Sequence, residues 1–74
     1  MAVNSKYSNE QVESLILQLL TVLENSHSKA DLSLMALGNA ATSVINNSVS
    51  ASQRKHVAAS FAKALESSVK IDLH

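Results

Sequence analysis

Asp31–Arg54 reads DLSLMALGNAATSVINNSVSASQR, and no side chain between those two ends carries a charge. The gap runs from Leu32 to Gln53 in a chain that is 16% charged overall. Its apolar residues recur at helical spacing, with Leu34, Leu37, Ala41, Val44 and Ile45 along one stripe. A second face holds Ala36, Ala40, Ser43 and Asn47, all small and neutral. A helix on the surface of a monomer carries lysine or glutamate on its outer face. This one carries neither, so it is expected to be enclosed on more than one side, and in so short a chain the expected enclosure is a second copy. Gly38 falls mid-helix, where it costs about 1 kcal/mol relative to alanine, a cost that close approach of another helix would explain. Asn39 and Asn46, seven apart, share one angle of the helix. They either pair across a two-fold axis, where a core asparagine sets register, or face water.

Outward from this segment, two further helices are predicted. Before the first stands Ser8-Asn9-Glu10-Gln11, the spacing at which the serine hydroxyl and the glutamine amide satisfy each other's backbone N–H groups. Tyr7 and Val12 have the spacing of a hydrophobic staple across that cap. Val12, Leu15, Ile16, Leu19, Leu20 and Leu23 then form one stripe. Leu17 falls opposite, either as a lone exposed leucine or as a partner contact. The polar run Asn25 to Ala30 reads as a loop, with the second helix starting at Asp31 or at Ser28. Ser50-Ala51-Ser52-Gln53 repeats the earlier box and places the start of the third helix near Ser50, so a very short connection makes helices two and three near neighbours. Val57, Ala58, Phe61, Ala62, Leu65 and Val69 form its stripe, and Lys63, Glu66 and Lys70 its solvated face. No proline occurs, and strand patterning is absent. The fold class is therefore all-α, a three-helix chain, read as one domain over residues 1–74 with flexible tails at 1–7 and 71–74.

A chain of 7.9 kDa lies near the size at which a single core barely suffices, and compactly folded it would expose about 4,400 Å². Without cysteine it has no disulfide, and no metal-ligand cluster is visible. Self-association is the remaining way to bury more apolar surface.

Formal net charge is zero and the pI is about 6.8, so bulk attraction to nucleic acid or anionic membrane is not expected. Polar residues interrupt the one stretch near membrane-spanning length, Leu32 to Val49. No signal-peptide pattern opens the chain, and the expected compartment is the cytoplasm. His27, His56 and His74 are far apart in sequence, and neither a glycine-rich phosphate loop nor a nucleophile elbow occurs. No catalytic residue, metal or cofactor is therefore expected, and the chain is not read as an enzyme.

One cluster stands apart. Arg54, Lys55 and His56 crowd the first turn of helix three, where cations oppose the helix dipole. Acids from another helix would neutralise them, or an anion would bind, with Ser50, Ser52 and the free N–H groups helping to hold it. The short turn and basic start also fit a DNA-binding reading, against which stand the neutral net charge and an uncharged helix two.

Three stretches carry a family resemblance: Tyr7-Ser8-x-Glu10-Gln11-Val12-Glu13, Asp31-Leu32-Ser33-Leu34-Met35-x-Leu37-Gly38-Asn39 and Ser60-Phe61-Ala62-x-Ala64-Leu65-x-x-Ser68. The chain resembles the YejL-like family of small bacterial proteins over nearly its whole length. That resemblance implies an all-helical, compact, interlocked homodimer and a cytoplasmic protein of gamma-proteobacterial type. It implies no activity and no functional residues. Ser26-His27-Ser28 fills a loop in which the family varies. The expectation is a homodimer with helix two central, Leu34, Leu37, Gly38, Ala41, Val44 and Ile45 largely buried, and a role as an interaction or scaffold module with some other protein as partner. The alternative is weak nucleic-acid or phosphate-ligand binding through the start of helix three.

Overall fold

The computed structural model describes residues 6–70. Among them all regular structure is helical: α1 (Asn9–Asn25), α2 (Ala30–Ser48), a 3₁₀ turn (Ala51–Gln53) and α3 (Arg54–Ser68). It divides into two units, Met1–Leu34 and Met35–His74, the boundary falling inside α2. The expected tails lie outside the described residues except for Lys6 and Tyr7, where the Lys6 ammonium sits 5.5 Å from the centre of the Tyr7 ring.

In the first unit the anticipated cap forms. Ser8 is extended (φ −70°, ψ 155°). Its hydroxyl oxygen accepts from the Gln11 N–H at 3.1 Å, and Gln11 Oε1 accepts from the Ser8 N–H at 3.4 Å. Glu10 in the first turn favours the positive end of the dipole.

The other end of α1 closes through a left-handed residue. His27 has φ 57°, and its N–H donates to the Glu24 carbonyl at 3.0 Å, one of the two bonds of a Schellman ending. The second bond ordinarily uses the next backbone N–H. Here the Ser28 hydroxyl reaches the Leu23 carbonyl instead, at 3.3 Å. The same hydroxyl lies 2.8 Å from the Ser33 hydroxyl, so Ser28 ties the end of α1 to the start of α2.

Neither expected cap of α2 is used. The Lys29 carbonyl accepts the first bond, from the Ser33 N–H at 2.9 Å. Asp31 lies inside the first turn and accepts from the adjacent Leu32 N–H at 2.9 Å. Ser28 is committed to the loop, so the helix begins one residue before Asp31.

In the second unit the repeat of the box is not formed. Ser50 makes no side-chain cap bond, and the Gln53 N–H that its hydroxyl would take donates to the Ser50 carbonyl at 2.9 Å. That bond closes a 3₁₀ turn, and α3 starts only at Arg54. Short as the connection is, α3 runs on directly from the 3₁₀ turn and does not lie along α2. The expected neighbourhood of the two helices is thus a corner.

No described residue is buried within the chain. On α1 only Leu23 of the stripe is half-buried, while Leu15, Ile16, Leu19 and Leu20 remain exposed. On α2, Ala41 and Ile45 are half-buried, and Leu34 and Val44 are 67% and 61% exposed. On α3, Val57 is half-buried and Phe61, Leu65 and Val69 are exposed. The stripes are formed as the periodicity predicts, and neither unit covers its own.

A left-handed conformation burdens an L-residue with a Cβ clash that glycine lacks. His27→Gly is therefore expected to raise unfolding stability by about 1 kcal/mol, and Ser8→Ala to lower it by about 1 kcal/mol, both measured by urea denaturation at fixed protein concentration.

Candidate functional site

The candidate residues fall at the corner between α2 and α3 and along α2. At the corner, α2 ends with carbonyl oxygens that have no donor further along the helix. Arg54, the first residue of α3, turns back to them. Its Nε donates to the Val49 carbonyl at 3.1 Å and its Nη2 to the Asn46 carbonyl at 2.9 Å. Carbonyls thus take the place foreseen for acids or an anion. A cation at the start of α3 is unfavourable to that helix, but its guanidinium lies at the negative end of α2, where positive charge is stabilised. Arg54 is half-buried by this placement.

Lys55 and His56 are exposed. A shallow depression at the corner is lined by Thr42, Ile45, Asn46, Arg54, Lys55 and Ala58. It brings Arg54 and Lys55 together, with Ser50, Ser52 and His56 outside it. Among the described residues no three histidine, aspartate or glutamate side chains gather to hold a metal ion. His74 lies outside the described residues. No helix among them is long and apolar enough to cross a membrane.

Along α2, Gly38 is open on its own chain: a methyl group added there would meet nothing within 4 Å. The Thr42 hydroxyl donates to the Gly38 carbonyl at 3.0 Å. Asn39 and Asn46 are both exposed, and Asn46 takes part in the corner through its backbone carbonyl rather than its amide. The Arg54 bonds were not anticipated from sequence. The available signal was an arginine shortly after the end of a helix, a position from which the side chain can reach the last carbonyls.

The model of a family described as proteins of unknown function (DUF1414) matches residues 27–69, which take in α2, the corner and α3. The chain belongs to this family. Relatives extend the likeness through α1. A UPF0352 protein of Shewanella halifaxensis is 59% identical over 70 residues, covering 95% of this chain and 97% of the relative. One from Shewanella piezotolerans is 60% identical over 70 residues, with the same coverage. A third, from Aliivibrio salmonicida, is 51% identical over 71 residues, covering 96% of this chain and 95% of the relative. YejL is the member of this family in Escherichia coli, so the YejL-like resemblance stands. The family brings no activity to the chain, and nothing in its description points to catalysis.

Charge-assisted hydrogen bonds contribute about 1.5–3 kcal/mol where they are well shielded, and less at a half-exposed corner. Arg54→Ala is expected to lower stability by about 1–2 kcal/mol, and Lys55→Ala to change it by less than about 0.5 kcal/mol. Equal losses from the two variants in thermal unfolding would show that the carbonyl bonds contribute nothing.

Proposed function

We propose that the DUF1414 chain works as a compact, interlocked homodimer with α2 at its centre, serving as a cytoplasmic interaction or scaffold module without catalysis. The observation that carries this is the exposed apolar surface. Leu15, Ile16, Leu19 and Leu20 stay exposed within the first unit, and Val44, Phe61, Leu65 and Val69 within the second, apolar surface of the kind that an obligate interface covers. A soluble chain with all three stripes open would associate or aggregate. The uncharged face of α2 supplies the most continuous contact, through Leu34, Leu37, Gly38, Ala41, Val44 and Ile45. The open space at Gly38 suits close approach of a partner helix.

Sedimentation equilibrium at micromolar concentration is expected to give twice the 7.9 kDa chain mass. A stably folded monomer would remove the proposal. Gly38 offers a sharper test. On an open helix face Gly38→Ala would stabilise by about 1 kcal/mol. Against a partner helix it destabilises, and Gly38→Leu abolishes the dimer.

The second reading, weak binding of nucleic acid or a phosphate ligand at the basic start of α3, draws on Arg54 and Lys55 sharing one depression. Two of the Arg54 donors are already engaged by carbonyls, which leaves Lys55 as the freer cation. A flat fluorescence-anisotropy titration with DNA and RNA at low salt would remove this reading. Salt-sensitive binding weakened by both Arg54→Ala and Lys55→Ala would support it.

A further inference from the structure

We infer that one face of α1 is a docking surface for a cationic amphipathic helix of another protein, held by Glu10, Glu13 and Glu24 around Leu17. This rests on the interaction-module reading and adds to it a surface and the chemistry of the partner. Three observations carry the inference.

The first is where these residues fall. Residues 10, 13, 17 and 24 follow one another at spacings of three, four and seven. At about 3.6 residues per turn they lie within about 60° of arc and span about 21 Å of the helix. The centre of this row stands about a third of a turn from that of the stripe Val12, Ile16, Leu19 and Leu23. Covering the stripe therefore leaves Leu17 outside the cover. All four side chains are exposed, Leu17 at 63%. A shallow depression follows this face, with Glu10, Glu13, Leu17 and Thr21 along it.

The second is charge. Every charged side chain of α1 is an acid. The positions four residues beyond Glu10, Glu13 and Glu24 hold Ser14, Leu17 and Ser28, so none has the cation that would pair with it along a helix. Glu24 lies in the last turn, which has no basic residue. An acid there opposes the helix dipole, and a cation brought to it offsets the penalty. The complement of this row is positive. Nucleic acid and anionic lipid are repelled by it.

The third is the leucine between the acids. A simple cation satisfies carboxylates but covers no apolar side chain. A partner helix of about 14 residues matches the length of the row, with lysine or arginine on either side of one apolar residue. This chain does not supply that pattern itself, because Lys63 and Lys70 share the solvated face of α3 with Glu66.

The test uses the full chain and a fluorescein-labelled helical peptide of about 15 residues, with lysines flanking one leucine at the spacings of the row. A counterpart carries glutamate in place of each lysine. Anisotropy titration is expected to show saturable binding of the lysine peptide, weakened by added salt, and none of the glutamate peptide. Leu17→Ala is expected to raise the dissociation constant about tenfold. Glu10→Gln, Glu13→Gln and Glu24→Gln together remove the salt dependence, while Glu66→Gln leaves the constant unchanged. Circular dichroism and sedimentation mass are followed for every variant.

The inference is overturned if the lysine peptide does not bind. It is equally overturned if Leu17→Ala and the triple change both stay within about twofold of the parent, since the peptide then sits elsewhere and only the interaction-module reading survives. Should the triple change lose the helical signal, Leu17→Ala and Glu66→Gln decide. If Leu17→Ala lowers the sedimentation mass of the chain alone, a second copy occupies the face and the inference fails. A parent chain that sediments as a monomer sinks the homodimer reading, which the peptide titration does not touch.

Discussion

Each of the three helices carries an apolar stripe, and short helices in water owe most of their stability to whatever covers such a stripe. In this chain neither unit supplies that cover by itself. Leu15 to Leu20 on α1, Val44 on α2 and Phe61 to Val69 on α3 all stand open on a single copy. The sequence has no cysteine, and among the described residues there is no metal-ligand cluster or long loop to substitute for a core. What it does have is well-made helix ends, and these decide where each stripe begins and which way it can turn.

The ends show how much depends on local bonds. Ser-x-x-Gln occurs before α1 and again at Ser50. At Ser8 the extended backbone leaves the Gln11 N–H free for the hydroxyl, and the box closes. At Ser50 the next residues enter a 3₁₀ turn, the Ser50 carbonyl takes the Gln53 N–H, and no box forms. Both serines are extended, with φ −70° and −60°. The pattern alone therefore does not choose between a cap and a tight turn; the turn that follows does. Likewise Ser28 has the chemistry of a cap, yet it spends its hydroxyl on the loop, where Leu23 and Ser33 offer partners that a linear scan does not bring together.

Arg54 marks the difference between a charge seen in sequence and a charge seen in place. Counted along α3 it is a cation at the wrong end of a dipole. Placed at the corner it caps the opposite end of the preceding helix. Function follows the same division. The family description names no activity, and the features on which the proposed association rests are an uncharged helix, an open glycine and a fastened corner.

The all-helical class, the three helices, the cap at Ser8 and the positions of the apolar stripes were legible from the residues alone, because periodicity and capping are set by neighbours a few positions apart. The start of α2 at Ala30, the left-handed His27, the 3₁₀ turn and the return of Arg54 to the α2 carbonyls were decided only in three dimensions. Each depends on which of several nearby donors and acceptors wins a shared partner, and that competition is settled by the direction the backbone takes rather than by residue type.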